Sequence, residues 1–104
     1  MNFKGGLTTL ILQNLSQGPN HGYRIAQDIK AKSKGVLDFK EGTLYPALHK
    51  LESDGMVESY NTVESGRTRR YYKITASGSA MLARDRAEWH TLSQAVTMIL
   101  GEVS

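Results

Sequence analysis

The chain has 104 residues, 39% hydrophobic and 22% charged, with a formal net charge of +3 and no cysteine. This length gives one small domain with a single core, and the composition excludes a disordered chain. The missing thiols exclude a disulfide framework and a thiolate metal site, and no apolar run approaches the length of a membrane span.

The first residues, MNFKGG, carry no signal-peptide pattern, so the expected location is cytoplasmic, with no membrane partner. Charge is unevenly spread. Residues 1–40 hold six Lys or Arg (Lys4, Arg24, Lys30, Lys32, Lys34, Lys40) against Asp28 and Asp38. Residues 41–75 balance five bases with five acids, yet Arg67, Arg69, Arg70 and Lys73 sit together. Residues 76–104 are slightly acidic, with Arg84 and Arg86 against Asp85, Glu88 and Glu102. A basic front and a near-neutral tail point to a polyanion partner for the first part and another task for the last.

Leu7, Leu10, Ile11 and Leu15 keep helical spacing until Gly18-Pro19 stops them. Asn20 is placed to cap a second helix over about residues 21–32, with Ile25, Ala26 and Ile29 inward and Tyr23, Arg24, Gln27 and Lys30 outward. Lys34-Gly35 breaks it, and a brief strand is expected across Val36, Leu37 and Phe39. A third helix follows in EGTLYPALHKLESDG. Leu44, Leu48 and Leu51 make its buried stripe, while Thr43, Tyr45, His49, Lys50 and Ser53 lie off the stripe and carry donors. Pro46 lacks an N–H, which predicts a start at Gly42 or Thr43, and Gly55 supplies the left-handed stop.

After Gly55 the period becomes two. Met56 to Val63 and Thr68 to Ile74 predict a hairpin turning at Glu64-Ser65-Gly66-Arg67, with Arg67, Arg69 and Arg70 at its tip. Thr75 caps a last helix reaching about Leu100, with Gly78 weakening its first turn. Leu82, Asp85, Trp89, Leu92, Val96 and Ile99 are spaced by three and four, a narrow seam of the coiled-coil kind. Dimerisation through Leu82, Trp89, Leu92, Val96 and Ile99 accounts for so long a helix, although a tail packed on a monomeric core would also show a stripe.

The fold class predicted is mainly α with a small β-hairpin: a winged helix-turn-helix DNA-binding domain over residues 1–75 and a C-terminal dimerisation helix over residues 76–104. Enzyme chemistry finds no footing. His21, His49 and His90 fall in separate elements, and there is no paired-histidine metal motif, phosphate loop or nucleophile elbow. No catalytic residue, metal or cofactor is expected. The nucleic-acid reading draws on parts that agree. The third helix fits a major groove roughly 12 Å wide, Tyr23 and the start of the second helix meet phosphate, and the arginines reach phosphates or the minor groove. The alternative is a protein-interaction winged helix whose basic face is incidental. Joint replacement of Arg67, Arg69 and Arg70 by alanine without loss of activity would favour it.

Three stretches, NHGYRIAQDI, EGTLYPALHKLESDGMVES and GRTRRYYKIT with its following helix, together resemble the PadR family of bacterial transcriptional regulators, from about Leu7 to Leu82. The resemblance implies a homodimeric winged-helix repressor, often relieved by a small aromatic ligand, acting on double-stranded DNA at a pseudo-palindromic operator. It implies DNA contacts by Tyr23, Thr43, Tyr45, Pro46, His49 and Lys50 and by the wing arginines Arg67, Arg69 and Arg70. The single tail helix is similar to the shorter branch of that family, in which a tryptophan at the place of Trp89 can stack on a flat effector.

Overall fold

The computed structural model describes residues 6–101; Lys4 and Glu102, and the first residues read above for a leader, lie outside them. The order is α1 (Gly6–Leu15), β1 (Asn20–His21), α2 (Gly22–Lys32), α3 (Glu41–Ser53), β2 (Val57–Glu64), β3 (Arg67–Ile74) and α4 (Ala76–Leu100). The strands form one antiparallel sheet in the order β1-β3-β2. The fold is a winged helix-turn-helix with a long C-terminal helix, as the sequence pattern predicts.

The core is where the periodic apolar positions meet. Ile11, Leu12 and Leu15 of α1, Ile25 and Ile29 of α2, and Leu44, Leu48 and Leu51 of α3 are buried together with Val57, Tyr72 and Leu82. The hairpin rests on this cluster through Val57 and Tyr72 and so is not left as an isolated ribbon, which would be marginal in water.

Three local expectations are corrected. Asn20 does not cap α2. It pairs with Tyr72 in β1, and its buried amide donates to Asn14 Oδ1 at 3.0 Å and Asp28 Oδ2 at 3.2 Å. His21 takes the cap, its Nδ1 accepting from the Arg24 N–H at 3.4 Å. The short strand is therefore β1, between α1 and α2, and not residues 36–39. Val36 is 81% exposed and Leu37 has its N–H satisfied by the Ser33 hydroxyl, so that segment has no ladder to join. Finally, α3 starts at Glu41 and holds Pro46 within it. The proline deprives only the Gly42 carbonyl of its helical donor, and exposed Gly42 can turn that carbonyl to water.

The junction from α3 to β2 is tightly bonded. The Gly55 N–H donates to Glu52 O at 3.0 Å and the Met56 N–H to Leu51 O at 2.8 Å, with Gly55 left-handed at φ 76°. This pair of hydrogen bonds closes the helix and turns the chain straight into the strand. Thr75 then joins the far end of the hairpin to the same corner. Its N–H donates to Met56 O at 3.1 Å and its hydroxyl to Gly55 O at 2.7 Å, while that hydroxyl accepts from Gly78 N–H as the α4 cap at 3.0 Å.

Helix α4 has two halves. Leu82 is buried in the core, and Asp85 accepts from the Thr9 hydroxyl of α1 at 2.9 Å. Arg86 still donates to Gln13 Oε1 of α1 at 3.0 Å, and the last turns of the helix run out over solvent. Val96, Met98, Ile99 and Leu100 are all exposed.

Candidate nucleic-acid interface

Burying Leu44, Leu48 and Leu51 turns the opposite side of α3 outward. Thr43, Pro46, His49 and Lys50 are exposed there, and among the described residues Lys50 reaches only to Asp54, one turn on, at 3.2 Å. An exposed pair of this kind is worth about 0–1 kcal/mol, so the ammonium is easily surrendered to a stronger partner. Tyr45 stands apart from this set. It is half-buried against the core, and its ring lies over Gly22, where an added Cβ would stand 2.7–2.8 Å from three ring-end atoms. Glycine at that position is what lets the first turn of α2 meet the first turns of α3.

Tyr23 follows Gly22 and is 53% exposed. It lines an open groove of about 720 Å³ between α2 and the start of α3, together with Lys30, Lys34 and Lys40. Asp38 stands between Lys30 and Lys40, 3.6 Å from each ammonium. Sequence reasoning assigned no role to this acid; its signal was its place between lysines in the linker.

The wing is a two-residue hairpin. Ser65 and Gly66 both have positive φ, 49° and 76°, the mirror-image turn that suits the twist of paired strands. The register pairs Glu64 with Arg67, Thr62 with Arg69, Asn61 with Arg70 and Tyr60 with Tyr71. Side chains alternate faces along a strand, so Arg67 and Arg69 share one face with Tyr71, and Arg70 shares the other with buried Tyr72. The three arginines are thus not brought together. Arg67, beside the turn, makes no ion pair among the described residues. Arg69 lies 3.3 Å from Glu64, which also accepts from the Tyr71 hydroxyl and pushes that phenol's pKa up. Arg70 turns back to Glu52 of α3 at 3.5 Å.

The Tyr71 ring stacks on Tyr60 at 5.9 Å and meets the edge of His21 at 5.4 Å, so the wing touches the N-terminus of α2 through aromatic contacts. Burial, then the charge of Arg69, lowers the His21 pKa below its ordinary 6.5, with Arg24 adding and Glu64 and Asp28 opposing. Neutral His21 can accept the cap hydrogen bond, whereas the protonated ring has no free lone pair. Below about pH 6.5 the unfolded chain takes up the proton before the folded one does, so stability is held above that pH and falls as the pH drops towards the folded value. Urea melts at pH 7.5 and 5.5 test this. His21→Asn, which can still cap, should flatten the difference, and an unchanged slope would remove His21 as its source.

The histidines of the described chain stay in separate elements, and no group of three potential metal ligands occurs among the described residues. No helix there is long and apolar enough to cross a membrane.

What decides the family is the match of residues 11–84 to the transcriptional regulator PadR-like family, most of the chain. The chain belongs to the PadR-like family. Its members are transcriptional regulators rather than enzymes, and this chain is a DNA-binding regulator of that kind. It is similar to a transcriptional regulator of Mycobacterium tuberculosis, 37% identical over 86 residues, 83% of this chain and 78% of that protein. Among solved structures it is similar to a transcriptional regulator from Clostridium thermocellum, with 31% identity and a TM-score of 0.87, covering 95% of this chain and 97% of that one. It is also similar to a PadR family transcription regulator from Clostridium difficile, with 31% identity and a TM-score of 0.81 over 93% and 100% of the two chains. The matched PadR span runs from α1 into α4, so it includes every wing and α3 residue discussed above.

Proposed function

We propose that the protein is a homodimeric repressor that lays α3 in the major groove of a pseudo-palindromic operator, with the wing on the flanking backbone. The observation that carries this reading is the single outward face of α3, bearing Thr43, Pro46, His49 and Lys50, with Tyr23 on one side and Arg67 and Arg69 on the wing. Thr43, His49 and Lys50 offer donors to base edges or phosphate. Tyr45 holds the start of α3 against Gly22, and its hydroxyl lies close enough to the α2 N-terminus to share a phosphate contact with Tyr23. The N–H groups at that helix start suit the same anion.

The free length of α4 supports the dimer. A groove of about 1000 Å³ between α1 and α4 is walled by Leu7, Leu10, Leu37, Phe39, Leu82 and Trp89. A partner's α4 would seat there, and a small flat aromatic effector would stack on Trp89 at the same place. Such an effector releases the operator only if it binds more tightly to a dimer whose two α3 helices are wrongly spaced for DNA.

The test is an anisotropy titration of the duplex upstream of the protein's own gene against a random duplex, at two salt concentrations. The operator should bind more tightly, and affinity should fall steeply with salt. Equal binding of both duplexes, or of neither, would sink the reading. Lys50→Ala should weaken the operator complex by about 1–3 kcal/mol and narrow the preference over random DNA if Lys50 reads a base. Uniform weakening, with a salt slope smaller by about one, would place it on phosphate.

A further inference from the structure

Among the seam positions Leu82, Asp85, Trp89, Leu92, Val96 and Ile99, only Asp85 is charged, and a charge in such a stripe weakens the contact between helices. Its side chain is turned to α1. Asp85 Oδ2 accepts from the hydroxyl of buried Thr9 at 2.9 Å, and the next residue, Arg86, donates from Nη1 to Gln13 Oε1 at 3.0 Å. Thr9 and Gln13 stand one turn apart on α1, while Asp85 and Arg86 are neighbours about 100° apart around α4. The two bonds therefore straddle the line where the helices meet. Together they resist both rolling of α4 about its axis and sliding of α4 along α1. From Arg86 to Ile99 the helix advances about 20 Å, so a tilt of about 5° at this clip displaces the exposed apolar end by about 2 Å.

We infer that Thr9 and Asp85 are positioning residues: their clip sets the angle at which α4 leaves the DNA-binding unit, and with it the spacing between half-sites that the dimer accepts. This rests on the homodimeric DNA-binding reading above. The two α3 helices are joined only through the two α4 helices in that reading, so the angle of α4 fixes the distance between them. One base pair of spacer moves the second half-site by about 3.4 Å along the duplex and about 35° around it. Displacements of a few ångströms at the dimer contact therefore decide which spacer fits. Thr9, Gln13 and Arg86 also wall the groove that holds Trp89, so an occupant of that groove would press on the clip.

The full-length protein is titrated by anisotropy with its operator, with operators whose central spacer is one base pair shorter or longer, and with a single half-site. Wild type, Thr9→Val, Thr9→Ser and Asp85→Leu are compared, with circular dichroism reading the fold and light scattering the dimer. Valine keeps the volume of threonine without its hydroxyl, and leucine completes the apolar seam while removing the acceptor. Wild type should prefer the natural spacer by about tenfold or more, since a wrong spacer requires the duplex to be deformed. Thr9→Val and Asp85→Leu should each narrow that preference to about threefold or less, because a hydrogen bond to a charged group is worth about tenfold or more in an equilibrium. Half-site affinity should stay unchanged in both, and Thr9→Ser, which keeps the hydroxyl, should retain the wild-type preference. A merely structural bond would alter stability and leave the spacer preference untouched. Should Thr9→Val fail to fold, Asp85→Leu decides alone. Full spacer selectivity in a folded, dimeric Thr9→Val or Asp85→Leu, or a dimeric wild type indifferent to spacer, overturns the inference and leaves the dimer reading intact. A monomeric wild type, or one that binds operator and half-site alike, overturns both.

Discussion

Val96→Asp combined with Ile99→Asp should convert the protein to a monomer and weaken operator binding by about 100-fold or more, the usual worth of joining two reading heads. In one protomer Val96 is 42% and Ile99 82% exposed, and Met98 and Leu100 beside them are more than two-thirds exposed. A contiguous apolar end of this kind on a charged domain marks a contact surface. Leu82 and Asp85, at the other end of the seam, are already used within the protomer, by the core and by Thr9. The double substitution is therefore expected to strike the proposed contact between copies and to spare the fold of one copy. Light scattering reads the mass and circular dichroism reads the fold. A variant that remains dimeric would show that the contact lies elsewhere. Trp89 gives a second measurement on the same protein, since a planar aromatic compound that quenches its fluorescence in the dimer should lose that effect in the monomer. Quenching that persists would place the effector within one protomer.

The helices were legible because each has a stripe that recurs within its own sequence. Leu44, Leu48 and Leu51 declare one buried face of α3, and Gly55 and Thr75 mark where helices stop and start, as their hydrogen bonds bear out. The hairpin was legible to within one residue at each strand. The strand β1 was not, because two residues carry no period and their pairing partners, Tyr72 for Asn20 and Tyr71 for His21, lie far onward in the chain. The role of Asn20 was hidden for another reason: its preference for a helix cap was overridden by a buried network with Asn14 and Asp28, neighbours in sequence that no periodic pattern ties to it. On the wing, the alternation of a strand already separates Arg70 from Arg67 and Arg69, but only the packing of α3 on β2 shows which face meets Glu52. Met98 and Leu100 fell off the narrow seam and were missed, although their exposure widens the apolar end of α4.

Gly78→Ala should destabilise the fold by about 2 kcal/mol, although alanine is the better helix former by about 1 kcal/mol. Local propensity and tertiary packing oppose each other here, and the neighbours decide the sign. A methyl group on Gly78 would overlap the carbonyl oxygen of Met56 and stand 2.8 Å from Ile74 Cγ1. The carbonyl cannot withdraw, because Met56 O accepts from the Thr75 N–H and Met56 N–H donates to Leu51 O. Moving it would break the closure of α3 or the seam between β2 and the start of α4. Moving α4 instead would pull Leu82 from the core and Asp85 from Thr9. Overpacking against backbone belongs at the upper end of the usual range of about 1–3 kcal/mol, and the gain in propensity offsets only part of it. At fixed protein concentration the loss should appear as a fall in Tm of roughly 10 °C. Gly42→Ala supplies the contrast. It lies in the first turn of α3 with nothing within 4 Å of an added Cβ, so the same substitution there should leave stability unchanged or raise it. If both glycines respond alike in a thermal melt, propensity governs and the contact at Met56 does not.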